Sequence, residues 1–96
     1  MTGDNIRNLI LASLEEEFPN DWKYIKLAEG LEEAYVGVAE TFGSPPRACY
    51  DYNKCIEIFA RPSDMTYDDA VEYFDYNTIG SYVGPNTPIF IKQFQL

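Results

Sequence analysis

The fold is decided by the stretch AYVGVAETFGSPPRACYDYNKCIEIF, residues 34–59, in which a strand-type pattern gives way to a helix-type pattern. Its first half, as far as Phe42, is rich in the β-branched and aromatic residues that are typical of strands. The turn signal GSPP follows at residues 43–46, and RACY at residues 47–50 is a second short strand-like run. We therefore predict a hairpin through the GSPP turn, because its two prolines cannot donate hydrogen bonds to a strand ladder.

A helix is predicted directly after this hairpin. Asp51 is a residue type that caps helix N-termini, and Arg61-Pro62 marks the end, since the residue before a proline is disfavoured in the helical conformation. Asp51 also begins a partial imitation of a calcium-binding EF-hand loop, but Ile56 stands where that loop needs glycine. The apolar residues that share one face of the predicted helix are Tyr52, Cys55, Ile56 and Phe59.

Two further elements are predicted on the C-terminal side. Thr66-Tyr67-Asp68-Asp69 is a capping box, in which Thr66 caps a helix and Asp69 reaches back to it. This amphipathic helix is expected to continue towards Tyr82. A turn cluster at residues 84–88 then leads into the β-rich run IFIKQF at residues 89–94, which predicts the last strand.

Two helices are predicted on the N-terminal side. Asp4 can cap the first, which runs to about Glu17 and ends before Pro19. Its apolar residues at helical spacing are Ile6, Leu9, Ile10 and Leu14. WKYIKLAEGLEE at residues 22–33 has an imperfect helical stripe, from which we expect a short second helix.

The predicted element order is α-α-β-β-α-α-β, which indicates an α+β fold. In this fold a small, roughly three-stranded and mostly antiparallel sheet packs against helices. A chain of 96 residues with 46% hydrophobic residues can bury one core. We therefore expect a single compact domain over residues 1–96.

Charge restricts the partners of the chain. Sixteen Asp and Glu residues against seven Lys and Arg residues give a formal net charge of −9. Such a field repels phosphate backbones and anionic membrane surfaces, so neither direct nucleic-acid binding nor membrane binding is expected. The N-terminal segment has no basic region or cleavage site of a signal peptide, which predicts a cytoplasmic protein.

The residue types also argue against catalysis. The chain contains no histidine, so it lacks the usual general base and the His-containing zinc sites. Cys49 and Cys55 have neither CxxC nor zinc-site spacing, and we expect two reduced, packed thiols. No spacing of carboxylates selects one catalytic pair. We therefore predict a non-enzymatic protein without a metal or another cofactor.

Tyrosines are concentrated in one part of the sequence. Tyr73, Phe74 and Tyr76 cannot all occupy one helical face, so at least one ring is expected to be exposed or at a contact. Tyrosine provides a large contact area at low entropic cost and is enriched in protein interfaces. The candidate interaction surface consists of Tyr67, Tyr73, Tyr76, Tyr82, Asp68 and Asp75.

Two segments, ACYDYNKCIEIF at residues 48–59 and MTYDDAVEYFDYNTIGSYVGPNTPIFI at residues 65–91, carry a composite pattern. They resemble a family of small bacteriophage and bacterial proteins with no established activity. In that family a Y-D-Y-x-K-C-I run precedes an M-[ST]-x-[ED]-[ED]-A-x-E helix and a G-x-x-[TS]-P-[ILV]-[FI] ending. The resemblance covers roughly residues 35–92. It implies a phage or mobile-element origin, a place in the host cytosol, and a host protein as the partner.

The leading hypothesis is a small acidic protein-interaction module, a phage-type inhibitor or adaptor of a host protein such as a defence-system component. The first alternative is a small-molecule or nucleotide-binding protein, for which Asn77 and Arg47 are the candidate ligand contacts. The second alternative is an acidic DNA mimic. The edge of the last predicted strand, residues 89–94, also allows a homodimer.

Overall fold

The computed structural model of the protein describes residues 3–61, 65–79 and 84–94. Within these ranges the regular elements are α1 (Gly3–Glu17), β1 (Tyr35–Ala39), β2 (Arg47–Asp51), α2 (Tyr52–Ala60), α3 (Tyr67–Phe74) and β3 (Ile89–Ile91). Short 3-10 turns lie at Trp22–Tyr24 and Glu32–Ala34, and a π-helical turn at Asp75–Ile79 continues α3. This arrangement confirms the α+β class.

The sheet has the strand order β1-β2-β3. β1 and β2 form the predicted antiparallel hairpin, with Val38 paired to Ala48 and a bulge between Tyr35 and Gly37. Gly37 has a φ of +147°, which favours glycine at this irregular position. The predicted strand run to Phe42 is wrong beyond Ala39, because the chain leaves the ladder to make the GSPP turn.

β3 pairs with β2 in parallel, so the sheet is mixed, with one antiparallel and one parallel pair, and not mostly antiparallel as predicted. A parallel pair needs a long crossover connection, and α2 and α3 provide it. β3 covers Ile89–Ile91 only, shorter than the predicted run of residues 89–94. It lies at the edge of the described sheet, and the homodimer through this edge stays a prediction.

The predicted second helix over residues 22–33 is wrong. The Asp21 side chain makes no capping hydrogen bond, and only the single turn Trp22–Tyr24 forms before Ile25 becomes extended. Further along, the Ala28 backbone N–H donates to the Tyr50 hydroxyl at 2.7 Å. A contact with the sheet, rather than a helical hydrogen bond, therefore satisfies the backbone here.

The core lies between one face of the sheet and the helices, and aromatic rings fill its centre. Phe74 of α3 is fully buried. Its ring contacts Tyr52 with the centroids 5.6 Å apart, Phe59 at 5.2 Å and Phe90 of β3 at 5.1 Å, all in edge-to-face arrangements. The other buried residues are Ile10, Leu14, Ile25, Leu31, Ala34, Ala48, Cys49, Tyr50, Tyr52, Cys55, Ile56 and Ala70.

The predicted helix faces agree with this core except in α1. Tyr52, Cys55 and Ile56 of α2 are buried, as their spacing indicated. In α1, Ile10 and Leu14 are buried but Leu9 is exposed, because α1 contacts the rest of the fold through a stripe too narrow to include it.

Two of the three predicted helix caps are present, whereas the predicted cap at Asp4 is wrong because α1 begins at Gly3 and includes Asp4 in its first turn. An Asp51 side-chain oxygen accepts a hydrogen bond from the Asn53 N–H at 3.2 Å, and Thr66 Oγ1 accepts one from the Asp69 N–H at 3.1 Å. Asp51 therefore begins α2 rather than a calcium loop. The helix that Thr66 begins is followed as far as Ile79, so the predicted continuation to Tyr82 lies outside the described residues.

Candidate functional site

α3 has a buried face and an aromatic outer face. Ala70 and Phe74 point into the core, whereas the Tyr73 side chain is 51% exposed and Tyr76 is 83% exposed. The sequence left open whether Tyr73 or Phe74 faces inward, and the structure buries Phe74. Two large rings thus remain in contact with solvent on adjacent turns.

A groove of about 450 Å³ runs along this outer face. Four of its lining residues, Asp69, Glu72, Tyr73 and Tyr76, have the i, i+3, i+4, i+7 spacing that forms one stripe on a helix. The full lining consists of Met65, Asp69, Glu72, Tyr73, Tyr76 and Asn77. The stripe therefore has two carboxylates towards its N-terminal end and two phenol rings towards its C-terminal end, along one open surface.

Contacts with the core side fix the walls of the groove. The Tyr73 ring packs on Phe59 of α2 with the centroids 5.9 Å apart. The Asn77 side chain donates a hydrogen bond to the Tyr73 carbonyl oxygen at 3.0 Å, within the helical segment that continues to Ile79. The Tyr73 ring is therefore supported on one side by Phe59, and its backbone is bonded by Asn77.

The sequence that contains the groove residues is strongly acidic. Residues 62–91 contain no Lys or Arg, and their acidic residues are Asp64, Asp68, Asp69, Glu72 and Asp75. The two ion pairs between described residues, Lys54–Glu57 and Arg61–Glu33, lie elsewhere. Within the described part of the chain, the Asp69 and Glu72 carboxylates have no cationic partner.

Other members of the predicted interaction surface do not line the groove. Tyr67 is 53% exposed, and its hydroxyl donates to Asn53 Oδ1 at 3.2 Å. Asp68 is exposed in the first turn of α3. Asp75 accepts a hydrogen bond from the hydroxyl of buried Tyr52 at 2.8 Å. Tyr82 lies outside the described residues.

Tyr52 and Asp75 form a structural pair. Burial, followed by the hydrogen bond to the Asp75 carboxylate, raises the pKa of Tyr52 to about 12. Lys92 Nζ lies over the Tyr52 ring, 4.7 Å from its centroid, within the range of a cation–π interaction. Asp75 thus links α3 to α2 rather than presenting its carboxylate to the groove.

The structure separates the two predicted ligand contacts. Asn77 lines the groove, whereas Arg47 donates from Nε to the Thr87 carbonyl oxygen. The Asn86 side chain donates to the Pro46 carbonyl oxygen at 3.3 Å in the same region. Arg47 therefore fastens the turn at residues 84–88 to the start of β2 and takes no part in the groove.

A second, smaller cavity of about 170 Å³ is lined by Glu29, Gly30, Leu31, Ile58 and Phe59. The basic residues of the C-terminal half, on which an anionic ligand there would depend, are Arg47, Lys54, Arg61 and Lys92. None of them lines either cavity. Both cavities instead contain carboxylates, and this argues against a nucleotide as the occupant.

The two thiols are free and buried in the described structure. Burial raises the pKa of Cys49, and burial together with the nearby Asp51 carboxylate raises the pKa of Cys55 to about 12. A raised pKa leaves little thiolate, which is the reactive form. Among the described residues, no three Cys, Asp or Glu side chains converge to hold a metal ion.

Sequence reasoning did not select Met65, Asp69 and Glu72 as site residues. The capping box is by itself a sufficient local explanation for Asp69. The signal that identifies the set is the spacing of Asp69, Glu72, Tyr73 and Tyr76 on the face opposite Ala70 and Phe74.

No protein-family model, curated protein or solved structure matches the chain. The resemblance of residues 35–92 to a phage and bacterial family therefore stays a prediction. Across the described ranges, no helix is both long enough and apolar enough to cross a membrane.

Proposed function

We propose that the chain is a small, acidic, non-enzymatic protein-interaction module that binds a partner protein through the groove on α3. In the phage context that the sequence pattern indicates, it is an inhibitor or adaptor of a host protein in the host cytosol. The observation that carries the proposal is the pair of exposed rings, Tyr73 and Tyr76, on a well-anchored helix beside an open groove.

The energetics of interfaces support this assignment. Tyrosine is among the residues enriched at binding hot spots, and a ring that is already held in place loses little entropy when a partner covers it. Tyr73 meets this condition through its contact with Phe59. The groove would form the centre of the interface, and a stable complex would bury additional surface around it.

The absence of histidine and the raised pKa values of both thiols support a non-enzymatic role. The nucleotide-binding alternative is disfavoured by the carboxylates in the groove. The DNA-mimic alternative predicts a partner that binds DNA. It is distinguished by its expectation that double-stranded DNA competes with the chain for that partner.

The test is purification of the tagged full chain from a bacterial lysate at low salt, followed by native mass spectrometry. We expect a host protein at fixed stoichiometry with the wild-type chain. Tyr76→Ser, alone and combined with Tyr73→Ser, should lose this protein. The matched control is Tyr24→Ser, which removes a ring that is 59% exposed outside the groove.

Two results would overturn the proposal. One is retention of the partner by the folded Tyr76→Ser and double variants to the same extent as by the wild type. The other is a bound mass of a few hundred daltons on the intact protein in place of any protein partner. Far-UV circular dichroism of each variant establishes that it is folded.

A further inference from the structure

We infer that the groove on α3 receives an arginine side chain from a basic segment of the partner protein. This inference rests on the proposed function and specifies the chemistry of the partner. It is carried by the stripe of Asp69, Glu72, Tyr73 and Tyr76, which places two carboxylates beside two phenol rings.

The chemistry of the lining matches a guanidinium group. Arginine is planar, stacks on aromatic faces and presents a fork of N–H donors that fits a carboxylate. Tyr73 and Tyr76 provide the ring surfaces, while Asp69 and Glu72 provide the acceptors. The Met65 side chain adds an apolar contact for the methylene stem of the arginine.

The carboxylates of the groove favour a positively charged occupant. The absence of Lys and Arg from residues 62–91 means that no nearby cation in the sequence competes for Asp69 or Glu72. An anionic occupant would meet these carboxylates directly. A second copy of the chain would bring a further net charge of −9, so a different, basic protein is favoured.

The groove is also arranged before binding. The Phe59 ring supports one side of the Tyr73 ring, and the Asn77 side chain bonds back to the Tyr73 carbonyl oxygen. Glu72 lies in the middle of α3, where the N-terminal stabilisation that explains Asp68 and Asp69 does not reach. Its carboxylate therefore stands on the open face of the helix, where it is accessible to a cation.

The test is a nuclear magnetic resonance titration of the isotope-labelled full chain with the peptide acetyl-Gly-Arg-Gly-amide. We expect saturable shifts concentrated on Met65, Tyr73 and Tyr76. The neutral control replaces arginine with citrulline, which keeps the shape and removes the charge. Salt at about 1 M, where the Debye length falls to about 3 Å, should strongly weaken binding of the arginine peptide.

Substitutions in the chain locate the effect. Glu72→Gln keeps the shape of the side chain and should weaken arginine binding by about threefold, which is typical of an exposed ion pair. Glu40→Gln changes the net charge equally at an exposed position outside the groove and should leave binding unchanged. Asp69→Asn provides a second, independent loss of charge in the stripe.

Three outcomes would overturn the inference: no shifts in the groove with the arginine peptide, equal binding of the citrulline peptide, or equal binding by Glu72→Gln. If binding of the host protein is lost in Tyr76→Ser but kept in Glu72→Gln, the proposed function is upheld and the inference of an arginine in the groove is refuted. Arginine binding in the groove without any host protein would refute the proposed function instead.

Discussion

The Tyr52 hydroxyl donates a hydrogen bond to Asp75 Oδ1 at 2.8 Å and thereby joins the first residue of α2 to the residue that follows α3. The two residues are 23 positions apart in sequence. The same Tyr52 ring packs edge-to-face on Phe74, the residue next to Asp75. One side chain therefore fixes the end of α3 through both an apolar contact and a polar contact.

Removal of this hydroxyl should destabilise the fold. We expect Tyr52→Phe to lower the free energy of unfolding by about 1–2 kcal/mol, because a hydrogen bond to a carboxylate is lost while the ring remains. Urea denaturation followed by circular dichroism measures the change. Tyr67→Phe loses a more exposed hydroxyl contact with Asn53 and should change stability by less than about 0.5 kcal/mol. Equal stability of Tyr52→Phe and the wild type would contradict the structural role of the pair.

Alkaline pH should weaken the folded state through two tyrosines. Burial is the first cause that raises the pKa values of Tyr50 and Tyr52 from the usual 10.0 to about 12. The folded chain thus holds these protons more tightly than the unfolded chain. Their contribution to stability is complete below pH 10 and is lost as the pH rises from 10 to about 12.

Urea denaturation at stepped pH measures this decline, and the ultraviolet absorbance of tyrosinate follows the titration. Tyr52→Phe, which has one fewer shifted group, should show a shallower decline. A free energy of unfolding that does not fall across this pH window would refute the prediction.

Neither thiol should react rapidly in the folded chain. Cys49 and Cys55 are buried, and the pKa of Cys55 is raised to about 12. We expect iodoacetamide near neutral pH to modify both residues in denaturant and neither one quickly in native buffer. Mass spectrometry of the intact protein counts the modified sites. Rapid native labelling at either cysteine would show that this part of the core is open.

The Thr66 cap should control α3 and, through it, the groove. Thr66→Ala removes the oxygen that accepts from the Asp69 N–H, and we expect a loss of about 1 kcal/mol in the free energy of unfolding. Thr66→Ser keeps an acceptor and serves as the control. Thermal denaturation measures both variants, and a Thr66→Ala chain as stable as Thr66→Ser would contradict the role of the cap.

The sequence was most informative where one local interaction determines the structure. Asp51 and Thr66 each cap a helix through an N–H two or three residues away, so a short window of sequence contains the whole signal. The turn between β1 and β2 is similarly local. The conformation at Ala28 is not determined locally. Its N–H donates to the hydroxyl of Tyr50, 22 residues away, and no pattern within residues 22–33 indicates that contact.

The candidate site was predictable only in part. Helical phase alone does not separate Tyr73 from Phe74, which are adjacent, and the contact of Phe74 with Phe90 of β3 decides between them. Exposure of Tyr73 and Tyr76 follows from that choice. Asp69 had a sufficient local explanation as a member of the capping box, and this concealed its place in the groove.

The parallel pairing of β2 with β3 also affects how the chain reaches its structure. Ile89 follows its partner Cys49 by 40 residues, so this pair closes a far longer loop than the β1–β2 hairpin does. The hairpin can therefore assemble early, whereas the other edge of β2 waits until α2 and α3 are in place. During that interval the apolar run Ala48, Cys49 and Tyr50 presents an unpaired edge to neighbouring chains. Conditions that slow the docking of α3 should thus promote aggregation during refolding, even though β3 covers this edge in the folded protein.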